Sequence, residues 1–116
     1  MRDTPASEID FEHFSKVAMH VGTVRSAVPN AKARTPAYVL EICFGPLGTR
    51  TASAQLTERY APGDLVGRQV VAVLNFPPKR VAGVTSEVLV LAAVDEAAGT
   101  TLLAPTHPVA DGTRIA

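Results

Sequence analysis

The sequence is poor in cysteine and aromatic residues: it has one cysteine, no tryptophan and an aromatic content of 5%. A single thiol, Cys43, cannot form an internal disulfide, which is typical of proteins from reducing compartments. No apolar run approaches the roughly 20 residues that a membrane-spanning helix needs, so we expect no membrane insertion. Residues 1–14 carry acids and lack the apolar segment of a signal peptide. These absences predict a cytoplasmic protein.

The sequence also lacks the motifs of common catalytic sites. It contains no phosphate-binding loop, no GxGxxG and no GxSxG. The histidines His13, His20 and His107 lie far apart along the chain, and none has a second ligand at metal-binding spacing. The acids form no evident pair. The sequence therefore favours a binding module over an enzyme, with no metal and no cofactor.

The 116 residues are enough for one domain, and an apolar content of 47% predicts a packed core. We expect a flexible N-terminus over residues 1–8 and a folded domain over residues 9–116. The formal net charge is zero, but residues 25–80 contain eight basic side chains against three acidic ones. On a folded barrel these cations could gather into a footprint for an anionic partner, or they could be scattered over the surface.

Alternating apolar residues and frequent turn signals predict an all-β fold of short strands. A short helix or a pair of turns is expected between Leu56 and Val66, where Pro62 can open a turn that Gly67 closes. A helical turn is expected at 11–15 and an extended tail at 105–116, with a turn at Asp111-Gly112. A helix between the third and fourth strands predicts a five-stranded OB-fold β-barrel, with an SH3-like barrel as the alternative. Strands are expected at about 17–27, 38–44, 49–55, 70–74, 88–94 and 100–104.

The stretch between residues 68 and 94 holds two runs, Val70–Leu74 and Val88–Val94, that are apolar at odd and even positions. This pattern predicts strands buried on both faces. The connector Asn75–Arg80 contains two prolines and two adjacent cations, which is typical of a rigid, exposed binding segment.

Three blocks of the sequence resemble the tRNA-binding domain family, whose OB-fold domains occur free-standing or appended to aminoacyl-tRNA synthetases. Phe14–Val24 is similar to the family's opening strand, F-x-K-V-D-I-R-V-G-x-I, and Ser53–Leu56 is similar to its S-A-Q-I turn. Asn75–Arg80, followed by Ser86-Glu87, resembles N-x-x-P-R-x followed by S-E. The resemblance covers nearly all of residues 9–116.

Within the family, the chain most resembles the CsaA-type branch, described as export-related chaperones that form homodimers. The similar segments are Ala33–Tyr38, Asn75–Pro78 and Ser86–Leu91. This resemblance implies a chaperone that binds unfolded or export-bound polypeptides in an apolar groove near Phe76. The peptide-binding residues would be Phe76, Pro77 and Pro78, as a preformed wall, although the prolines could instead only fix the connector.

The alternative function is a tRNA-binding protein that contacts the tRNA backbone through a basic face of the barrel. Four cations would contact phosphates, and five polar side chains could bond sugars or bases. For Ser53 and Gln55, a role in the strand and turn is the other possibility. The predicted nucleic-acid-binding residues are Lys32, Arg34, Ser53, Gln55, Asn75, Lys79, Arg80, Ser86 and Glu87.

A homodimer is also predicted from the apolar run Val88–Val94. A five-stranded barrel buries one face of each strand, so the outward-facing residues of this run need a second cover. Burying each further aliphatic side chain stabilises by roughly 1.5–3 kcal/mol. The predicted dimer-interface residues are Phe11, Phe14, Val88 and Val90.

Overall fold

The computed structural model describes residues 6–116. Most of the N-terminus that is predicted to be flexible, residues 1–5 of 1–8, lies outside the described residues. The described chain forms two short α-helices, α1 (Phe11–Ser15) and α2 (Pro62–Leu65), one turn of 3-10 helix at Gly45–Leu47, and nine strands. The strands are β1 (Met19–Pro29), β2 (Tyr38–Cys43), β3 (Thr49–Ala54), β4 (Gln69–Val73), β5 (Lys79–Val81), β6 (Val84–Ser86), β7 (Leu89–Val90), β8 (Ala92–Asp95) and β9 (Gly99–Leu102).

The main sheet is antiparallel, with the strand order β3-β2-β1-β4-β7. β1 pairs with β4 through its first half and with β2 through its second half, and the register shifts between Val24 and Ser26. Such a bulge increases the local twist and lets one long strand serve both sides of a curled sheet. The result is a nearly closed five-stranded barrel with α2 between β3 and β4, so the OB-fold prediction is confirmed and the SH3-like alternative is set aside.

The core of the barrel is built by alternate residues of its strands. Leu40, Ile42 and Phe44 point inward from β2 and the residue after it, and all three are fully buried. Gly22 of β1 permits this packing, because a Cβ there would lie 2.6 Å from the Phe44 ring. Leu65 of α2 is also fully buried, which places the helix against the core.

The C-terminal extension returns to the part of β1 that β2 leaves unpaired. The amide of Gly112 donates to the carbonyl of Val21 at 2.7 Å, and the amide of Val21 donates to the carbonyl of Thr113 at 2.9 Å. The hydroxyl of Thr23 donates to the carboxylate of Asp111 at 2.6 Å. The extended tail with a turn at Asp111-Gly112 is therefore confirmed, and it adds a strand-like edge to the barrel.

The prediction of one strand over Val88–Val94, buried on both faces, is wrong. The chain changes partner at Leu91, because β7 pairs with β4 whereas β8 pairs with β9 in a separate hairpin. Leu89 is 50% exposed and Val94 is 71% exposed. The connector after β4 also leads into a hairpin, β5–β6, that the sequence pattern does not predict.

The orientation predicted for two dimer-interface residues is also wrong, because their side chains point towards the core of their own chain. Val88 is only 5% exposed and belongs to the core cluster of its own chain, and Val90 packs against that cluster. Side chains alternate along a strand, so the residue that faces outward here is Leu89, which lies between them.

Candidate ligand-binding groove

A groove of about 720 Å³ lies between the edge of β3, the connector after β4 and the β7–β8 segment. Its walls are largely apolar. Phe76 and Pro77 line one part, and Leu89, Leu91 and Val94 line another. Exposed apolar side chains that converge on one concavity are typical of a ligand-binding site.

The groove brings together residues from both predicted ligand sets. Five residues predicted for nucleic acid line it, together with two predicted for peptide: Ser53, Gln55, Lys79, Ser86, Glu87, Phe76 and Pro77. The others do not line it: Lys32, Arg34, Asn75, Arg80 and Pro78. The two predicted ligands would therefore meet at one surface.

Asn75 acts as a clamp at the point where the chain leaves β4. Its side-chain Nδ2 donates to the carbonyl of Lys16 at 2.7 Å, and its Oδ1 accepts from the amide of Ala18 at 3.0 Å. The backbone ladder with β1 ends one residue earlier, where the amide of Leu74 donates to the carbonyl of Ala18 at 2.8 Å. The side-chain amide thus continues the ladder and frees the backbone to turn into Phe76.

Ser86 and Glu87 hold the opposite wall against β3. The amide of Ser53 donates to Ser86 Oγ at 3.0 Å, and the amide of Thr51 donates to Glu87 Oε1 at 2.9 Å. The amide of Glu87 donates in turn to the Thr51 carbonyl at 2.8 Å. Both side chains line the groove and also join its walls, so their predicted contacts with nucleic acid would be additional to a structural role.

The β5–β6 hairpin carries two of the predicted phosphate-binding cations at the mouth of the groove. Lys79 lines the groove, whereas the guanidinium of Arg80 donates to Thr85 Oγ1 at 3.2 Å on the hairpin surface. The hairpin turns at Ala82 and Gly83, which both have positive φ (47° and 83°), the conformation of the tight turns that suit two-residue hairpins.

The loop between β1 and β2 contacts the tip of this hairpin. The side chain of Asn30 donates to the Ala82 carbonyl at 3.3 Å, and a Cβ at Gly83 would lie 3.4 Å from Lys32 Cδ. Lys32 is therefore brought to the hairpin that bears Lys79. Arg34 lies on the same loop.

Residues 19–114 match the family described as "Putative tRNA binding domain". The chain belongs to this tRNA-binding domain family. Crystal structures of the chaperone CsaA from Bacillus anthracis and from Picrophilus torridus have the same fold, with TM-scores of 0.90 and 0.88. Their sequence identities are 51% and 39%, and the matches cover 95% and 94% of this chain and all of each neighbour.

The family also includes parts of larger enzymes. The methionine–tRNA ligase of Porphyromonas gingivalis is 36% identical over 110 residues, which is 95% of this chain. The ligase of Methanococcoides burtonii is 36% identical over 107 residues, which is 92% of this chain. The chain spans only 16% of the length of either ligase.

Several groove residues of this tRNA-binding domain are absent from the predicted site. Leu89, Leu91, Val94 and Thr100 line the groove, but the apolar pattern up to Val94 predicts a doubly buried strand. The turn signal at Gly99, which ends the β8–β9 hairpin turn, could have indicated a separate hairpin and hence an exposed Val94.

The predicted dimer residues Phe11 and Phe14 lie in α1, away from the groove lining. Their ring centroids are 6.1 Å apart. They border a second, smaller cavity of about 220 Å³, together with Val17, Arg114 and Ile115. No residue of α1 is buried.

Among residues 6–116, no three His, Cys, Asp or Glu side chains are close enough to hold a metal ion. Within the same part of the chain, no helix is long and apolar enough to cross a membrane.

Proposed function

We propose that this domain is a non-enzymatic chaperone whose groove binds unfolded or export-bound polypeptides in the cytoplasm. The observation that carries the proposal is the apolar lining of the groove, in which the Phe76 side chain is 51% exposed. Similarity to the two structures of the chaperone CsaA supports it. Unfolded chains expose apolar side chains, and their burial in such a groove is favourable by roughly 25 cal/mol per Å².

The rim of the groove is preorganised for this role. Asn75 fixes the start of the rim through its two hydrogen bonds, and Pro77 and Pro78 restrict the backbone after Phe76. A backbone segment that is already restricted loses little conformational entropy when a ligand binds to it.

The test is suppression of the aggregation of a thermally denatured client without ATP, followed by light scattering. We expect scattering to fall with wild-type protein and to fall much less with Phe76→Ser. Val66→Ser is the matched control, because Val66 is about equally exposed (52%) but lies outside the groove lining. Unchanged scattering at a stoichiometric excess of wild-type protein would contradict the proposal.

A second candidate function is tRNA binding. It is favoured by the basic hairpin, which carries Lys79 and Arg80 and whose tip at Gly83 contacts Lys32 of the neighbouring loop, and by membership of the tRNA-binding domain family. Phosphate contacts from such cations would position tRNA without reading its sequence.

This candidate is tested by the salt dependence of tRNA binding. A plot of the logarithm of the binding constant against the logarithm of the salt concentration should have a slope of about −0.7 to −0.9 for each phosphate contact. Lys79→Ala with Arg80→Ala should make this slope less negative by the amount expected for about two contacts. Lys16→Ala with Arg25→Ala removes the same charge from residues outside the hairpin and should keep the wild-type slope. A slope that the hairpin variant does not alter would exclude this mode.

We also propose that the domain works as a homodimer with Phe11 and Phe14 in the interface. The support is the exposure of α1, where Phe11 is largely uncovered by its own chain.

A further inference from the structure

We infer that a polypeptide docks in the groove by adding a short strand to the free edge of β3, at Ser53–Gln55. The inference rests on the proposed function, since it assumes that the groove binds polypeptide, and it specifies the part of the ligand that is recognised. Recognition would be through the ligand backbone, in an extended conformation, with apolar side chains packed on the groove walls.

The backbone N–H and C=O groups of β3 point alternately to β2 and to the opposite edge of the strand. Its pairing with β2 uses one set of alternate residues, so Thr51 and Ser53 direct their backbone groups to the other edge. Glu87 takes both backbone groups of Thr51, through its carboxylate and its own amide. Ser86 Oγ accepts from the amide of Ser53. Glu87 and Ser86 therefore pair with the amide and carbonyl of Thr51 and with the amide of Ser53 along this edge of β3.

Two backbone groups lie beyond that point. Among residues 6–116, the carbonyl of Ser53 and the amide of Gln55 have no hydrogen-bond partner. They flank Ala54, and Ser53, Ala54 and Gln55 all line the groove. An unpaired acceptor and donor on one strand edge form a template for a further strand.

The spacing of these two groups defines the ligand. In a parallel bridge, one residue donates its amide to the residue before its partner and accepts from the residue after it. A guest residue opposite Ala54 would therefore donate to Ser53 and accept from Gln55. A peptide backbone offers that donor and acceptor on one residue and repeats the pair at every second residue of an extended strand.

The walls define the side chains of the guest. Successive side chains of an extended segment point to opposite sides. The groove offers apolar surface from two segments, Phe76-Pro77 and Leu89–Val94. Side chains of one parity would face this groove, so the ligand class is an extended segment that is apolar at those alternate positions, and the groove would bind many sequences of that pattern.

The first experiment uses three forms of one fluorescent ten-residue peptide of alternating leucine and serine, with a terminal lysine for solubility. The parent is unmodified, one isomer carries N-methyl groups on the leucine nitrogens, and the other carries them on the serine nitrogens. In an extended peptide, the N–H groups that face the host strand belong to every second residue, that is, to all the leucines or to all the serines. One isomer therefore cannot donate hydrogen bonds to β3, whereas the other can. We expect one isomer to bind at least about tenfold more weakly than the parent, the cost of a lost hydrogen bond, and the other to bind within about twofold.

Each outcome decides between the alternatives. If the two isomers bind alike, whether as well as the parent or not at all, strand addition is overturned. Binding of the unmodified parent peptide would still support the proposed function. A parent peptide that does not bind would overturn the proposed function itself. In that case, tRNA binding that is weakened by Phe76→Ser would assign the groove to nucleic acid and exclude strand addition of a peptide.

A pair of protein variants tests the host side. Gln55→Pro removes the amide donor, and the strand conformation of Ala54 is compatible with a following proline. Gln55→Ala keeps the donor and removes only an exposed side chain. We expect the proline variant to bind the parent peptide at least about fivefold more weakly and the alanine variant to bind like wild type. If both variants fold and bind the parent peptide equally well, the assignment of the Gln55 amide as a donor is overturned. If the proline variant does not fold, the two N-methylated peptides test strand addition on the wild-type protein.

Discussion

Glu87 and Thr51 exchange two hydrogen bonds: the Thr51 amide donates to the Glu87 carboxylate at 2.9 Å, and the Glu87 amide donates to the Thr51 carbonyl at 2.8 Å. Glu87 lies two residues before β7, and Thr51 lies in β3. The pair therefore connects the segment that leads into β7 with β3, and these two strands are the edges of the five-stranded sheet. A carboxylate at this position therefore has a structural reason that is independent of any ligand.

Replacing Glu87 by alanine should destabilise the fold. The change leaves the half-buried Thr51 amide without its acceptor, which costs about 1–3 kcal/mol in the free energy of unfolding. Glu87→Gln retains an acceptor oxygen and should recover part of that loss. Urea denaturation measures it, with Glu96→Ala in the exposed β8–β9 turn as the control. A Glu87→Ala midpoint equal to that of wild type would contradict the closure role.

Asn75 should influence ligand binding although it does not line the groove. Asn75→Asp keeps the acceptor for the Ala18 amide but removes the donor to the Lys16 carbonyl. We expect a loss of about 1–3 kcal/mol in unfolding free energy and weaker suppression of client aggregation, because the start of the Phe76 rim is no longer fixed.

Lys16→Ala is the control for this clamp. It removes an exposed side chain but keeps the carbonyl that Asn75 bonds, so stability and aggregation suppression should match wild type. If Asn75→Asp lost stability but suppressed aggregation fully, the clamp would be structural only.

The extent of agreement between sequence and structure follows from the range of the interactions involved. Alternation places Leu40 and Ile42 in the core, and proline and glycine signals locate α2, because these patterns are local. The change of partner at Leu91 depends on hydrogen bonds to Val71 and Leu103, which no periodicity within the run reports. The apolar pattern alone therefore joins β7 and β8 into one strand. Because the run is apolar at odd and even positions, it also does not distinguish the buried Val88 from the exposed Leu89.

The same limit applies to the site. The connector Asn75–Arg80 is correctly predicted to be exposed, and Phe76 does line a groove. The hydrogen bonds of Asn75 to residues 57 and 59 positions away could not be read from the motif itself. An exposed polar residue such as Asn75 suggests a ligand contact when only the sequence is known. In the structure its side chain instead forms hydrogen bonds with the backbone of residues far away in the sequence. The ligand contacts of such polar residues stay predictions.

Gly22 should tolerate no side chain. A methyl group at this position would lie 2.6 Å from the Phe44 ring and 2.7 Å from Ile42, and both neighbours are fully buried. Gly22→Ala should therefore cost about 1–3 kcal/mol through overpacking. Gly63→Ala is the matched control: no atom lies within 4 Å of a Cβ there, and a helical alanine should be neutral or slightly stabilising. Thermal unfolding compares the two, and equal melting temperatures would contradict this account of the core.

The proposed homodimer makes the last prediction. Phe11 is 79% exposed on a helix with no buried residue, and with Phe14 it borders the smaller cavity beside the C-terminal residues. Burying an aromatic side chain stabilises by roughly 1.5–3 kcal/mol, and a two-fold interface would bury each one twice. Wild-type protein should therefore elute from a sizing column, with light-scattering detection, at about twice the 12.2 kDa of one chain.

Phe11→Asp should shift that mass towards the monomer without unfolding the chain, because α1 contributes nothing to the core. Leu47→Asp, which adds the same charge at an exposed apolar residue of the turn between β2 and β3, should leave the dimer intact. A wild-type mass near 12.2 kDa at micromolar concentration would exclude the dimer. A dimer that survives Phe11→Asp would instead move the interface away from α1, and the exposed Leu89 and Val94 would then be the next residues to substitute.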